Sequence, residues 1–318
     1  HCARCNLYRV HALVHGSRII SSMSTEDHTK PPAGRDILFL ALGVIGIGTS
    51  GPVIALSTMP VPSLIFWRNL GGAVTMIPFA LRLKQWRTSE EKLGIKLSAY
   101  AGICLALHFL CFFAAMRLTS VAAGVAITTM QPVFAAIYLR FKGGHIPRRA
   151  WVGMAIAFAS VLLITGVDLQ ISLRAFSGDL LALLGAALSA GYVLIGSQAQ
   201  RRLATSTYTS VCYLVCALSV LPVALIGRFE ILHFAAHQWW LLIALIVGAQ
   251  MLGHTMFNLT LKRVSPAVVS LVVFFEVPVS AILALWWMGQ SPPGGTIPGI
   301  IGLLIGCGVF VFRGRLTS

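Results

Sequence analysis

Residues 250–278 read QMLGHTMFNLTLKRVSPAVVSLVVFFEVP, and this stretch decides the fold. One apolar helix ends in a tight turn carrying Lys262 and Arg263, and a second apolar helix follows with a single acid, Glu276, far from either end. An ionisable side chain at bilayer depth costs about 2.5–3.5 kcal/mol on insertion scales, so it normally faces a partner or a wet cavity. The chain reads outward from this point as a polytopic membrane protein with Glu276 lining a pathway.

Composition agrees. Over 318 residues 57% are hydrophobic and 10% charged, too little polar surface for a soluble globule to cover itself. The net charge of +15 would suggest nucleic acid in a soluble protein, but the basic residues sit in short gaps between apolar runs, where membrane topology accounts for them. No nucleic-acid partner is expected. Cys104, Cys111, Cys212, Cys216 and Cys307 lie within apolar runs and give no disulfide framework. Cys2 and Cys5 with His11 and His15 fit no compact metal site well, so neither metal nor cofactor is expected. The polar tail 1–35 precedes the first apolar run; Met23 opens a plausible leader, and 1–22 reads as a translated upstream region or a cloning remnant.

Ten stretches approach the roughly 20 apolar residues a membrane helix needs. They run from Asp36 to Leu56, Pro62 to Leu83, Ile95 to Met116, Thr119 to Leu139, Ala150 to Gly166, Gly178 to Ala199, Thr207 to Gly227, Gln238 to Leu261, Ser265 to Met288 and Thr296 to Phe312. Alternate gaps on the side of the N-terminal tail hold 20 Lys and Arg, whereas the other side holds Arg117, Arg174 and Arg228. Cytoplasmic loops retain basic residues, so both termini are expected in the cytoplasm of a protein integral to the plasma, or inner, membrane.

A shift of 146 residues lays His108 on His254, Pro132 on Pro278, Gly143 on Gly289 and Gly153 on Gly299, with nine identities in the 48 positions from Ala106 to Gly153. Arg140, Lys142, Arg148 and Arg149 fall on Trp286, Met288, Gly294 and Gly295, so equivalent turns face opposite sides of the membrane. The expectation is an all-α protein of ten transmembrane helices built as two inverted five-helix repeats. The repeats span 36–166 and 178–312, joined by a 167–177 linker and followed by a cytoplasmic tail, 313–318.

Phe66-Trp67-Arg68-Asn69 in the second helix, Gln131-Pro132-Val133-Phe134-Ala135-Ala136 in the fourth, Gly178-Asp179-Leu180-Leu181-Ala182-Leu183 opening the sixth and Glu276-Val277-Pro278 in the ninth appear in that order. In these motifs the chain resembles the EamA-type branch of the drug/metabolite transporter superfamily, across nearly all of Asp36 to Phe312. The resemblance implies two inverted units, a central cavity, and movement of amino acids, other small metabolites or drugs. Members of that branch often carry an acid after the fourth and ninth helices; here Gly143-Gly144-His145 and Gly289-Gln290-Ser291 stand there. The first-half counterpart of the acid-proline signal is Gln131-Pro132, which leaves Glu276 as the one intramembrane acid.

At 1.5 Å per helical residue Glu276 lies about 16 Å beyond Ser265, at the midplane, and His254 and His108 lie roughly 10–12 Å from opposite faces. Gln250, His254 and Asn258 recur at i, i+4 and i+8, one polar stripe that needs partners or water. Each reads as cavity lining or as hydrogen-bonding glue between helices. Thr128 and Gln131 are the first-half candidates for the cavity, and Pro132 and Pro278 break the backbone ladder near the midplane. Arg68 stands about 9 Å inside Pro62, where snorkelling to the interface is the leading expectation and a substrate clamp or a Glu276 partner the other. Gly302 and Gly306 form GxxxG on the tenth helix, a close-contact face within the chain or in a homodimer. The pairs Trp239-Trp240 and Trp286-Trp287 are expected as interfacial anchors.

These features favour a secondary transporter of a small zwitterion or polar organic molecule. No P-loop is present, and Glu276 is the candidate for proton coupling. A non-transporting sensor or assembly subunit is the alternative. An intramembrane enzyme would need a nucleophile-base set or clustered metal ligands, for which the chain has no HExxH.

Overall fold

The computed structural model describes residues 34–141, 143, 148–260 and 272–313, and among these only helices, turns and irregular connections occur. The tail 1–33, the Lys262-Arg263 turn and the first part of the ninth helix from Ser265 lie outside the described residues, as does the side chain of Asn258. The first span is α1 (Gly34–Gly48) and α2 (Ser50–Leu56), interrupted at Thr49, whose hydroxyl donates to the Gly46 carbonyl at 2.7 Å. α3 (Val61–Leu83) and α4 (Ser89–Ala115) follow. The fourth span is α5 (Val121–Thr128) and α6 (Gln131–Phe141); then come α7 (Arg148–Ile171), α8 (Leu173–Gln200) and α9 (Thr205–Ile226). α10 (Ala236–Ala244) passes through a π-helix (Leu245–Thr255) into α11 (Met256–Thr260). α12 (Glu276–Met288) and α13 (Ile297–Arg313) end the described chain. Among the described residues eight helical stretches are long and apolar enough to cross a membrane, and Glu276–Met288 and Gly294–Phe310 are shorter apolar helices.

Local chemistry sets several ends away from the hydropathy boundaries. Thr88 and Glu91 form a reciprocal capping box that starts α4 ahead of its apolar run. Ser172 accepts from the Ala175 N–H at 3.0 Å and starts α8, so most of the expected 167–177 linker is helix. Gly143 (φ 88°) and Gly289 (φ 63°), the pair aligned by the 146-residue shift, both adopt the left-handed conformation that suits glycine after α6 and α12. Lys84 (φ 49°) and Arg228 (φ 52°) do the same after α3 and α9.

The exterior is the apolar side: Ile226 is 84% exposed, Trp286 78% and Leu162 72%, whereas Arg68, Asn69, Asp168, Asp179, Gln250 and Glu276 are buried. That inversion suits a hydrocarbon solvent. Trp240 and Trp286 are exposed, whereas Trp239 packs on Trp67 with ring centroids 5.3 Å apart and on Phe234.

Small residues let the helices touch. α4 lies on α8 at Gly185, α1 on the π-helix at Gly46 and Gly253, and α13 on α7 at Gly153, Gly299, Gly302 and Gly306. A Cβ on Gly306 would stand 2.6 Å from the Ala157 nitrogen and 2.9 Å from the Gly153 carbonyl. The GxxxG face is therefore spent inside the chain on α7 and is not free for a homodimer.

Between α9 and α10, the Glu230 carboxylate accepts the N–H groups of Ile231, Leu232 and His233 and contacts His233 Nδ1 at 3.2 Å. The backbone N–H of His233 and then of Leu232 hold this exposed carboxyl well below its usual range, at about 2. The loop in turn receives Ser63 Oγ on the Glu230 carbonyl at 2.6 Å and Trp67 Nε1 on the Ile231 carbonyl at 2.7 Å. A depressed folded-state pKa gives order that is present above the ordinary carboxylate range and lost as pH falls toward about 2. Glu230→Ala is expected to speed hydrogen exchange at residues 231–233 at pH 7 by removing their acceptor. Unchanged exchange there would show that the carboxylate does not hold the loop.

Candidate functional site

One helix break falls at Thr129-Met130, between α5 and α6, and another at Phe274-Phe275, just before α12. Each break is a tight turn: Met130 N–H donates to the Ile127 carbonyl at 3.1 Å and Phe275 N–H to the Val272 carbonyl at 3.0 Å. Pro132 and Pro278 follow. Having no N–H, they cannot donate to the carbonyls four residues back, those of Thr128 and Phe274. Both of these residues line one internal cavity of about 120 Å³.

Arg68, His108, Thr128, Gln131, Pro132, His254 and Glu276 line the same cavity, so the structure gathers seven of the sequence candidates in one place. Glu276 opens α12 and lies 12 residues, about 18 Å, from its last residue Met288. His108 Nδ1 donates to the Gly185 carbonyl at 2.8 Å and the ring stacks on Phe112 with centroids 5.7 Å apart. Because a carbonyl only accepts, Nδ1 carries the proton and Nε2 of the neutral ring is left as an acceptor. Gln131 Oε1 accepts from Ser189 on α8 at 3.0 Å, and the Thr128 hydroxyl donates to its own helix at Gly124 O, 2.8 Å away.

Two expectations need correction here. Arg68 does not snorkel: it is 1% exposed, with Nε donating to Gln250 Oε1 at 3.1 Å and its guanidinium carbon 4.4 Å from the Phe109 ring centroid and 5.5 Å from that of Phe113. Such ring contacts are worth about 0.5–2 kcal/mol each and help hold the cation away from water. The polar stripe is also not straight. The π-helix takes an extra residue per turn, with Thr255 Oγ1 reaching the Gln250 carbonyl at 3.3 Å; Gln250 packs behind Arg68 against Gly72 while His254 faces the cavity.

Sequence reasoning missed Ser50, Thr129 and Ser189, which also line the cavity. Glu276 is also not the one buried acid, since Asp36, Asp168 and Asp179 are buried too. Asp168 and Asp179 are 2% and 0% exposed, and Thr119 Oγ1 donates to Asp168 Oδ2 at 3.0 Å. The signal was Asp179 in the Gly178-Asp179 motif, a charge placed just after what appeared to be a loop. Asp168, Arg117 and Arg174 border a second, wider recess of about 630 Å³, lined by the connections that hold few basic residues. Around it Arg117 Nη2 donates to the Met59 carbonyl at 2.6 Å, Arg174 Nη2 to the Arg117 carbonyl at 3.1 Å, and Val121 N–H to Gln290 Oε1 at 3.0 Å.

A family model described as the EamA-like transporter family matches twice, over residues 35–166 and 176–312. The chain belongs to this family. EamA-family relatives of the chain include the pseudopaline exporter CntI of Pseudomonas aeruginosa, found in two strains, 22% identical over 257 residues that cover 80% of this chain and 87% of CntI. An uncharacterized transporter of Archaeoglobus fulgidus is 25% identical over 227 residues, covering 70% of this chain and 77% of its own. One solved crystal structure of a protein superposes on 90% of this chain and 100% of its own with a TM-score of 0.61 at 17% identity, a likeness of fold. This EamA-family chain is thus an integral membrane protein of a transporter family, with a cavity inside its apolar body that carries Arg68, Glu276 and two histidines.

Proposed function

We propose that this chain is a secondary active transporter that moves a small polar metabolite through the central cavity by alternating access, with Glu276 coupling the movement to protons. The observation that carries it is the cavity: an acid, a fully buried cation and two histidines meet where two spans break. Discontinuous helices at the midplane are how transporters present carbonyls and helix ends to a solute.

The reading includes ten spans in two inverted units. Four positive-φ residues support it by falling into two related pairs, Lys84 with Arg228 and Gly143 with Gly289. Helix packing follows the same exchange: α4 on α8 corresponds to the π-helix on α1, while α3 with α9 and α7 with α13 each exchange with themselves. The exporter among the relatives favours outward movement. Uptake and efflux of labelled metabolites in reconstituted vesicles test the reading, and an absence of flux for every solute that binds would contradict it.

In the proposed orientation both termini and the turn from Arg140 to Arg149 face the cytoplasm of the plasma, or inner, membrane, while Pro292 to Gly295 faces outward. Cysteines placed singly at the exposed positions Arg140 and Ser291, in a background without native cysteines, are expected to differ: an impermeant thiol reagent added outside labels Ser291→Cys only. Equal labelling of both would overturn the topology.

A further inference from the structure

Arg68 is a buried cation with donors left unpaired. Its Nε is spent on Gln250 Oε1, yet Nη1 is buried without a partner, and so is Gln250 Nε2 beside it. Among the described residues no ion pair reaches the guanidinium, although Glu276 lines the same cavity. Phe109 and Phe113 cover it without supplying an acceptor. A buried guanidinium presents a planar fork of donors that matches a carboxylate, and a protein that keeps one without a counter-ion leaves that place for something else.

We infer that Arg68, steadied by Gln250, is the recognition group for the carboxylate of a small organic acid in the central cavity. The inference rests on the transport reading above and names the substrate class for that site. His108 completes the match, since its Nε2 is an acceptor facing a cavity whose cation is Arg68. The solute that fits carries a hydrogen-bond donor, an amino or hydroxyl group, close to its carboxylate. Volume sets the scale: the cavity of about 120 Å³ holds several waters and suits a small solute.

The test is thermal unfolding of the purified full chain with matched solutes: lactate against lactamide and alanine against alaninamide, with sodium phosphate and sodium chloride at equal ionic strength as separate arms. A ligand that binds only the native state raises its apparent stability. The acids are expected to raise the unfolding temperature and the amides not. Arg68→Gln is expected to abolish the rise and Arg68→Lys to keep part of it, since an ammonium retains the charge without the fork. The wild-type comparison needs no variant, so a misfolded Arg68→Gln leaves the outcome readable. Stabilisation by the amides as great as by the acids, by the inorganic anions alone, or by no acid at all would overturn the inference. Flux without a carboxylate requirement would leave transport standing and this inference fallen; acid binding without flux would do the reverse.

Discussion

Glu276→Gln is expected to fold, to bind solute and still to exchange it across the membrane, yet to lose accumulation against a gradient under an imposed pH difference. The amide keeps the shape and hydrogen bonding of the acid and removes its proton exchange. Charge is costly in hydrocarbon and cheap in water, so an acid that is occluded in one state and hydrated in another takes up and releases a proton with the change of access. His254 lines the same cavity from the π-helix and is the relay in the proposed coupling. The accumulated ratio in Glu276→Gln vesicles should fall to that of passive equilibration while counterflow persists. Full pH-driven accumulation by the variant would remove Glu276 from the coupling step and leave it a packing residue.

The second large effect concerns the α7–α13 contact. Gly306→Leu is expected to destabilise the protein by about 1–3 kcal/mol or more, because its Cβ would already meet the Ala157 nitrogen at 2.6 Å and backbone does not yield as a side-chain tip does. Gly308 is the control. A Cβ there meets nothing within 4 Å, so Gly308→Leu should leave thermal unfolding in detergent close to wild type. If Gly306→Leu kept wild-type stability and instead changed the oligomeric state, the glycine face would belong to a subunit interface after all.

Hydropathy carried much of the fold, because a span is a matter of length and the apolar runs here are long. Glu276 and the two histidines were legible for a related reason: a polar group deep in an apolar run has few bland explanations. Arg68 was not. Its depth along α3 permits a snorkelling stem, and only the rotation of α3 against α9 and the π-helix decides whether the guanidinium turns out or in. Asp168 was hidden by a helix end, since α7 runs past its apolar stretch to Ile171 and buries the acid in its last turn. The π-helix was hidden because hydropathy does not set helix pitch; in the structure the Gly46 carbonyl and Thr49 lie against Gly248, and Ile47 against Gly253.

The claim that the central cavity opens to each side of the membrane in turn has a direct measurement that needs no known solute. Thr128, half-buried on the cavity wall, is replaced by cysteine in a background without native cysteines, and an impermeant thiol reagent is applied to right-side-out and to inside-out vesicles. Alternating access predicts that Thr128→Cys is labelled from both sides, while cysteines at Arg140 and Ser291 are each labelled from one side only. Labelling of Thr128→Cys from one side alone, under every pH gradient imposed, would contradict it.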